Sequence, residues 1–94
     1  MAYMITHFYE GGTKDQYDAV VNVVHPPGGL PAGQVYHAAG PTDGGWLVVA
    51  VWESKDASDT FVSETLVPTL PTVSGGLAGP PQERAAEVAN LLTA

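Results

Sequence analysis

The chain has 94 residues and sets ten acidic side chains against Lys14, Lys55 and Arg84, a formal charge of −7. Three scattered cations cannot neutralise a phosphate track, which excludes nucleic acid as a partner. Cysteine is absent, so disulfides, thiolate nucleophiles and thiolate metal sites are excluded as well.

Length predicts one small domain spanning residues 1–94. Such a chain hides only about two-thirds of its unfolded surface, yet 45% of its residues are apolar. That surplus predicts self-association, with a homodimer as the expected state. No apolar run approaches the roughly 20 residues of a membrane-spanning helix. Nor does a basic region followed by a long apolar stretch open the chain. The expectation is a soluble cytoplasmic protein with no membrane partner.

Residues 3–9 (Tyr-Met-Ile-Thr-His-Phe-Tyr) read as a first strand. Alternation puts Tyr3, Ile5, His7 and Tyr9 on one face and Met4, Thr6 and Phe8 on the other. Thr13 and Gln16 have the spacing of a capping box. Tyr17, Val20, Val21 and Val24 then form one apolar helical stripe. This helix is expected to stop at His25, because Pro26-Pro27-Gly28-Gly29 cannot continue it.

A second strand is expected over 34–39, closed by a turn over 40–45 onto residues 46–52 (Trp-Leu-Val-Val-Ala-Val-Trp). This uninterrupted apolar run predicts a central strand buried on both faces. Trp46, Val48, Ala50 and Trp52 share one face, and the pattern leaves open which face meets the helices. Ser54 is placed to cap a second helix, with Phe61, Val62, Thr65, Leu66 and Leu70 on its buried side. Pro68 and Pro71 should bend or end it. Residues 73–81 read as a Gly/Pro-rich connector. The last segment is ambiguous: 83–88 has helical propensity, whereas 87–92 is a fair strand for a sheet that lacks its fourth member.

The order β-α-β-β-α with one more strand is the split β-α-β, or ferredoxin-like, arrangement: an α+β fold with a four-stranded antiparallel sheet and both helices on one face. The uncovered sheet face would meet its copy across a two-fold axis.

A tyrosine-rich first strand, Gly33 to His37 as Gly-x-x-x-His, Asp43-Gly44-Gly45-Trp46, and Val51-Trp52-Glu53-Ser54 before a helix together carry a resemblance. Over about residues 3–70 the chain resembles the dimeric α+β-barrel superfamily, in particular antibiotic biosynthesis monooxygenase-like proteins. The resemblance implies a barrel of two facing sheets and a final strand rather than a helix. It also implies an uncharacterised, cofactor-independent oxygenase acting on a small hydrophobic aromatic or polyketide-like compound, with no cofactor bound. The alternative is a dimer that only binds a small ligand or serves a structural role. Haem degradation, another activity in the superfamily, uses an Asn on strand 1, a Trp on helix 2 and a His near that helix's end. The matching places here are His7, Phe61 and residues 69–71, and none agrees in type.

His7 and His37 stand in otherwise apolar strands and are the candidate catalytic residues. A neutral imidazole can take the proton of a phenol or enol before oxygen attack. Each also has a purely structural reading, as a histidine satisfied at the sheet edge or dimer seam. With the central strand between theirs, they stand roughly 10 Å apart. That spacing excludes a shared metal ion, whose bonds to nitrogen are about 2 Å, and suits a flat ligand. Tyr3, Tyr9, Tyr36, Trp46 and Trp52 are the candidate substrate-binding residues, through stacking and hydroxyl donation. His25 is read as a favourable charge at a helix C-terminus.

Overall fold

The computed structural model describes residues 2–25, 29–77 and 80–93. Strand β1 (Tyr3–Glu10) leads into helix α1 (Lys14–Val24), followed by β2 (Gln34–Thr42) and β3 (Gly45–Trp52). Helix α2 (Lys55–Phe61) continues through a π turn (Val62–Leu66) into the short α3 (Val67–Thr69) and a 3₁₀ turn (Leu70–Thr72). Strand β4 (Gln82–Glu87) completes a sheet of order β2-β3-β1-β4, antiparallel throughout.

Both helix starts follow their sequence signals. Thr13 N–H donates to Gln16 Oε1 and Gln16 N–H donates to Thr13 Oγ1, a complete capping box. Ala57 N–H donates to Ser54 Oγ at 3.1 Å. Gly33, between Ala32 and β2, takes φ +84°, a region open to glycine at little cost. A Cβ there would lie 2.8 Å from Ala57 Cβ, so its absence lets α2 sit close to the strand entry. Helix α1 ends at Val24 with His25 as its C-cap, where the stop is expected. Pro26-Pro27-Gly28 lie outside the described residues, as do residues 78 and 79 of the expected connector.

Three expectations are corrected. Strand β2 runs on to Thr42, so the turn tightens to Asp43-Gly44. Pro41 is tolerated in it because β2 is an edge strand and can spare one donor. The last strand is 82–87 rather than 87–92, over residues whose propensity is helical. Pairing with the free edge of β1, from Tyr3↔Glu87 to Phe8↔Gln82, outweighs that weak local preference. The second helix does not simply bend at its prolines. Pro68 has no N–H to give the Glu64 carbonyl, and ahead of it the helix widens, Val67 N–H donating to Val62 O.

The register Tyr3↔Trp52, Ile5↔Ala50, His7↔Val48 and Tyr9↔Trp46 puts all eight side chains on one face. The helices lie on that face. Val20 of α1 and Leu66 and Leu70 pack with Tyr9, Trp46 and Leu77 in one buried cluster. Ile5, Ala50 and Trp52 form a second, and Phe61 packs against both. The other side of the sheet is only partly covered: Val51 is buried, Leu47 and Val49 are half-buried, and Met4 and Tyr36 are exposed. The central strand is therefore not sealed on both faces within one chain.

Candidate functional site

Between the two clusters the helices and the sheet form a cavity with about 50 Å³ of open space, room for a few waters. Ile5, Val20, Val48, Ala50, Phe61 and Leu66 give it apolar walls, and its polar side chains come from two ends of the sheet.

At one end stands His7, 7% exposed. Its Nε2 lies 3.0 Å from Glu83 Oε2 on the neighbouring β4. A carboxylate only accepts hydrogen bonds, so Nε2 carries the proton and Nδ1 keeps the lone pair. The arrangement holds the ring in one tautomer and balances the charge it gains when Nδ1 takes a proton. Tyr9 lies beside it, its ring edge-on to His7 with centroids 6.3 Å apart. Burial, and secondarily the Glu83 charge, push the Tyr9 phenol up to about 12. Tyr9 thus remains a neutral O–H donor at any working pH.

At the other end, His37 Nε2 hydrogen-bonds to Tyr17 Oη of α1, and His25 packs edge-on to it with ring centroids 4.8 Å apart. Burial, and then the neighbouring His25, lower His37 to about 4. Burial also lowers His25. Both imidazoles are neutral at neutral pH. Desolvation therefore works against the charge that His25 is expected to place at the helix end.

A β-bulge between Gln34 and Tyr36 shapes this end further. Across it, Gln34 pairs with Trp52 and His37 with Ala50, so two residues an odd number apart face the same side. Gln34, His37 and Trp52 all line the cavity.

Of the predicted site residues, His7, His37, Tyr9 and Trp52 are thus brought together around one cavity. Tyr3 packs against the Ile5–Ala50–Trp52 cluster, and Trp46 is buried beneath Tyr17, ring centroids 5.3 Å apart; neither lines the cavity. Tyr36 lies on the opposite face, paired with Val51 and 54% exposed, which corrects its expected place in the pocket. Sequence reasoning missed Glu83, because β4 was not fixed, and Gln34, because a bulge has no signature here. It read Tyr17 only as part of an apolar stripe. Among the described residues no three His, Cys, Asp or Glu side chains are grouped to hold a metal ion.

No protein-family model and no curated protein matches the sequence. Solved structures do match. One is a putative antibiotic biosynthesis monooxygenase from Chloroflexus aurantiacus, at TM-score 0.65 and 14% identity over 99% of this chain and 98% of that one. The chain has the fold of these monooxygenase-like proteins. The same antibiotic biosynthesis monooxygenase-like fold relates it to SnoaB, a cofactor-independent oxygenase from Streptomyces nogalater, at TM-score 0.61 and 15% identity over 97% and 95% of the two chains. A monooxygenase from Streptomyces coelicolor, in complex with nanaomycin D, aligns at TM-score 0.58 and 20% identity over 99% of this chain and 91% of its own.

Proposed function

We propose that this protein is a cofactor-independent oxygenase that oxidises a small electron-rich hydroxyarene in the cavity between sheet and helices. One observation carries the reading: His7, oriented by Glu83, lines a cavity whose walls are mostly apolar and aromatic. The oxygenase and monooxygenase names of the structures sharing the fold support it.

In this reading His7 is the base and His37 is not, because His37 Nε2 is taken by Tyr17 and burial with His25 makes its imidazole a weak base, lowered to about 4. The Nδ1 lone pair of His7 takes the phenol proton, and the imidazolium formed is balanced by Glu83. The electron-rich arenolate passes an electron to oxygen, and a carbon–oxygen bond forms at a ring C–H position. Loss of water then leaves a carbonyl at that carbon. The balance is ArOH + O₂ → quinone + H₂O, with all four electrons supplied by the substrate. Tyr9 O–H is available to hydrogen-bond the reduced oxygen. The apolar walls exclude bulk water, which strengthens these interactions.

We also propose that the protein works as a homodimer through the free sheet face. Among the described residues Met4 and Tyr36 are exposed there and Leu47 and Val49 only half-buried, and contiguous exposed apolar surface marks interaction sites.

The test is oxygen uptake by protein freed of flavin and metal, with hydroquinones and naphthols as substrates under ¹⁸O₂. One ¹⁸O atom in the product quinone supports the reading. A ligand that binds without oxygen consumption would instead make the protein a binding module.

A further inference from the structure

Three atoms of the cavity lining are buried and, among the described residues, have no hydrogen-bond partner: Gln34 Oε1, His37 Nδ1 and Trp52 Nε1. Buried polar atoms are normally satisfied, and leaving one unpaired is costly. All three belong to the same end of the cavity. Gln34 stands opposite Trp52, and His37 opposite Ala50, two residues along the same strand. The bulge makes this grouping, since a regular strand would turn Gln34 and His37 to opposite faces.

Their chemistry is complementary. The Trp52 indole can only donate, and Gln34 Oε1 can only accept. Burial holds the Tyr17 phenol above its ordinary range, so it keeps its proton. A phenol is the stronger donor of this pair and an imidazole nitrogen the better acceptor. The contact is therefore assigned with Tyr17 donating to His37 Nε2, which places the hydrogen of His37 on Nδ1 as a donor. Two donors and one acceptor are therefore left without partners at this end of the cavity, with no charge among them.

We propose that Gln34, His37 and Trp52 form the anchor for the ligand of the oxygenase site, and that this ligand is a single-ring arene with two vicinal oxygens. One oxygen accepts from Trp52 and His37, and the adjacent hydroxyl donates to Gln34. The ring's far edge, which in the substrate of the oxygenase reading carries the further hydroxyl that His7 deprotonates, then reaches towards His7. Two hydrogen bonds of about 2.8 Å take up more than half of the roughly 10 Å between the His37 and His7 strands. One ring is the most that this span and the small open volume admit, and its entry requires the walls to move apart. The anchor rests on the oxygenase reading for its location but not for its test.

The experiment is anaerobic calorimetric titration with catechol, resorcinol and phenol, which requires no turnover. Catechol should bind at least about tenfold more tightly than phenol or resorcinol, the gain expected of an added buried hydrogen bond. In Gln34→Leu that preference should shrink to about threefold or less, with phenol affinity nearly kept. Trp52→Phe, which keeps an aromatic ring and removes the N–H, should weaken catechol most of all. Circular dichroism and the phenol titration establish that each variant is folded. Equal affinity for the three compounds, a preference that survives Gln34→Leu, or no binding of any of them would overturn the anchor. Catechol selectivity without oxygen consumption would retain the anchor and remove the oxygenase reading instead.

Discussion

His7 Nε2 and Glu83 Oε2 meet at 3.0 Å across the β1–β4 pairing, His7 buried and Glu83 half in solvent. One strand supplies an imidazole to the cavity, and the edge strand supplies the carboxylate that orients it. The contact depends on register, because His7 and Glu83 are direct partners on adjacent strands.

Glu83→Gln should accordingly act through His7. The amide can still take the Nε2–H hydrogen bond, but it no longer balances an imidazolium. Oxidation should slow by about ten- to a hundredfold, the usual cost of losing a group that supports a functional histidine. Unfolding in urea should hardly change, since an ion pair with one partner near the surface contributes little. A parent-like rate in Glu83→Gln would mean that the pair only staples the edge strand.

Trp52 is 2% exposed and packs against Phe61, ring centroids 5.2 Å apart. Trp52→Ala should cost about 3–5 kcal/mol, as large-to-small aromatic changes in cores do. Urea denaturation of parent and variant checks this, and a loss below about 1 kcal/mol would contradict the packing described.

The neutral His37 makes stability depend on pH. Its folded value is about 4, against 6.5 for an unperturbed histidine. Below about pH 6.5 the unfolded chain takes up a proton that the folded chain refuses, so stability present above that pH is lost as pH falls towards 4. His25 acts in the same direction. Unfolding free energy should therefore drop more between pH 6.5 and 4.5 in the parent than in His37→Gln. Parallel profiles would show that His37 protonates freely in the folded protein.

The uncovered sheet face leads to a prediction about assembly. Val49 lies between Thr6 and Ala38 on that face. Val49→Asp would bury a charge in a dimer seam and should convert the protein to monomer at micromolar concentration, as sedimentation equilibrium would detect. A monomeric parent would remove the two-sheet barrel.

Much of this architecture is legible in the sequence, because local signals there agree with the fold. The Thr13–Gln16 box, the Tyr17–Val24 stripe and the apolar run ending at Trp52 each specify one element. What is not legible depends on pairing. β4 is a strand only because β1 offers it an open edge, so Glu83 could not be assigned to His7 from propensity. The bulge that turns Gln34 towards His37 leaves no residue signature. His25 looks like a helix-end charge until its burial against His37 is seen. The two strand histidines were recognisable, whereas their partners came from long-range geometry.

In the proposed reaction His7 is the proton acceptor for oxygen-dependent chemistry in this cavity. Oxygen uptake on a hydroxyarene by the parent and by His7→Asn, at equal folded fraction and with chelator present, tests it most directly. A parent that consumes oxygen and a variant about two to four orders of magnitude slower, with substrate affinity retained, is the predicted result. Uptake in the variant within a few-fold of the parent would contradict it.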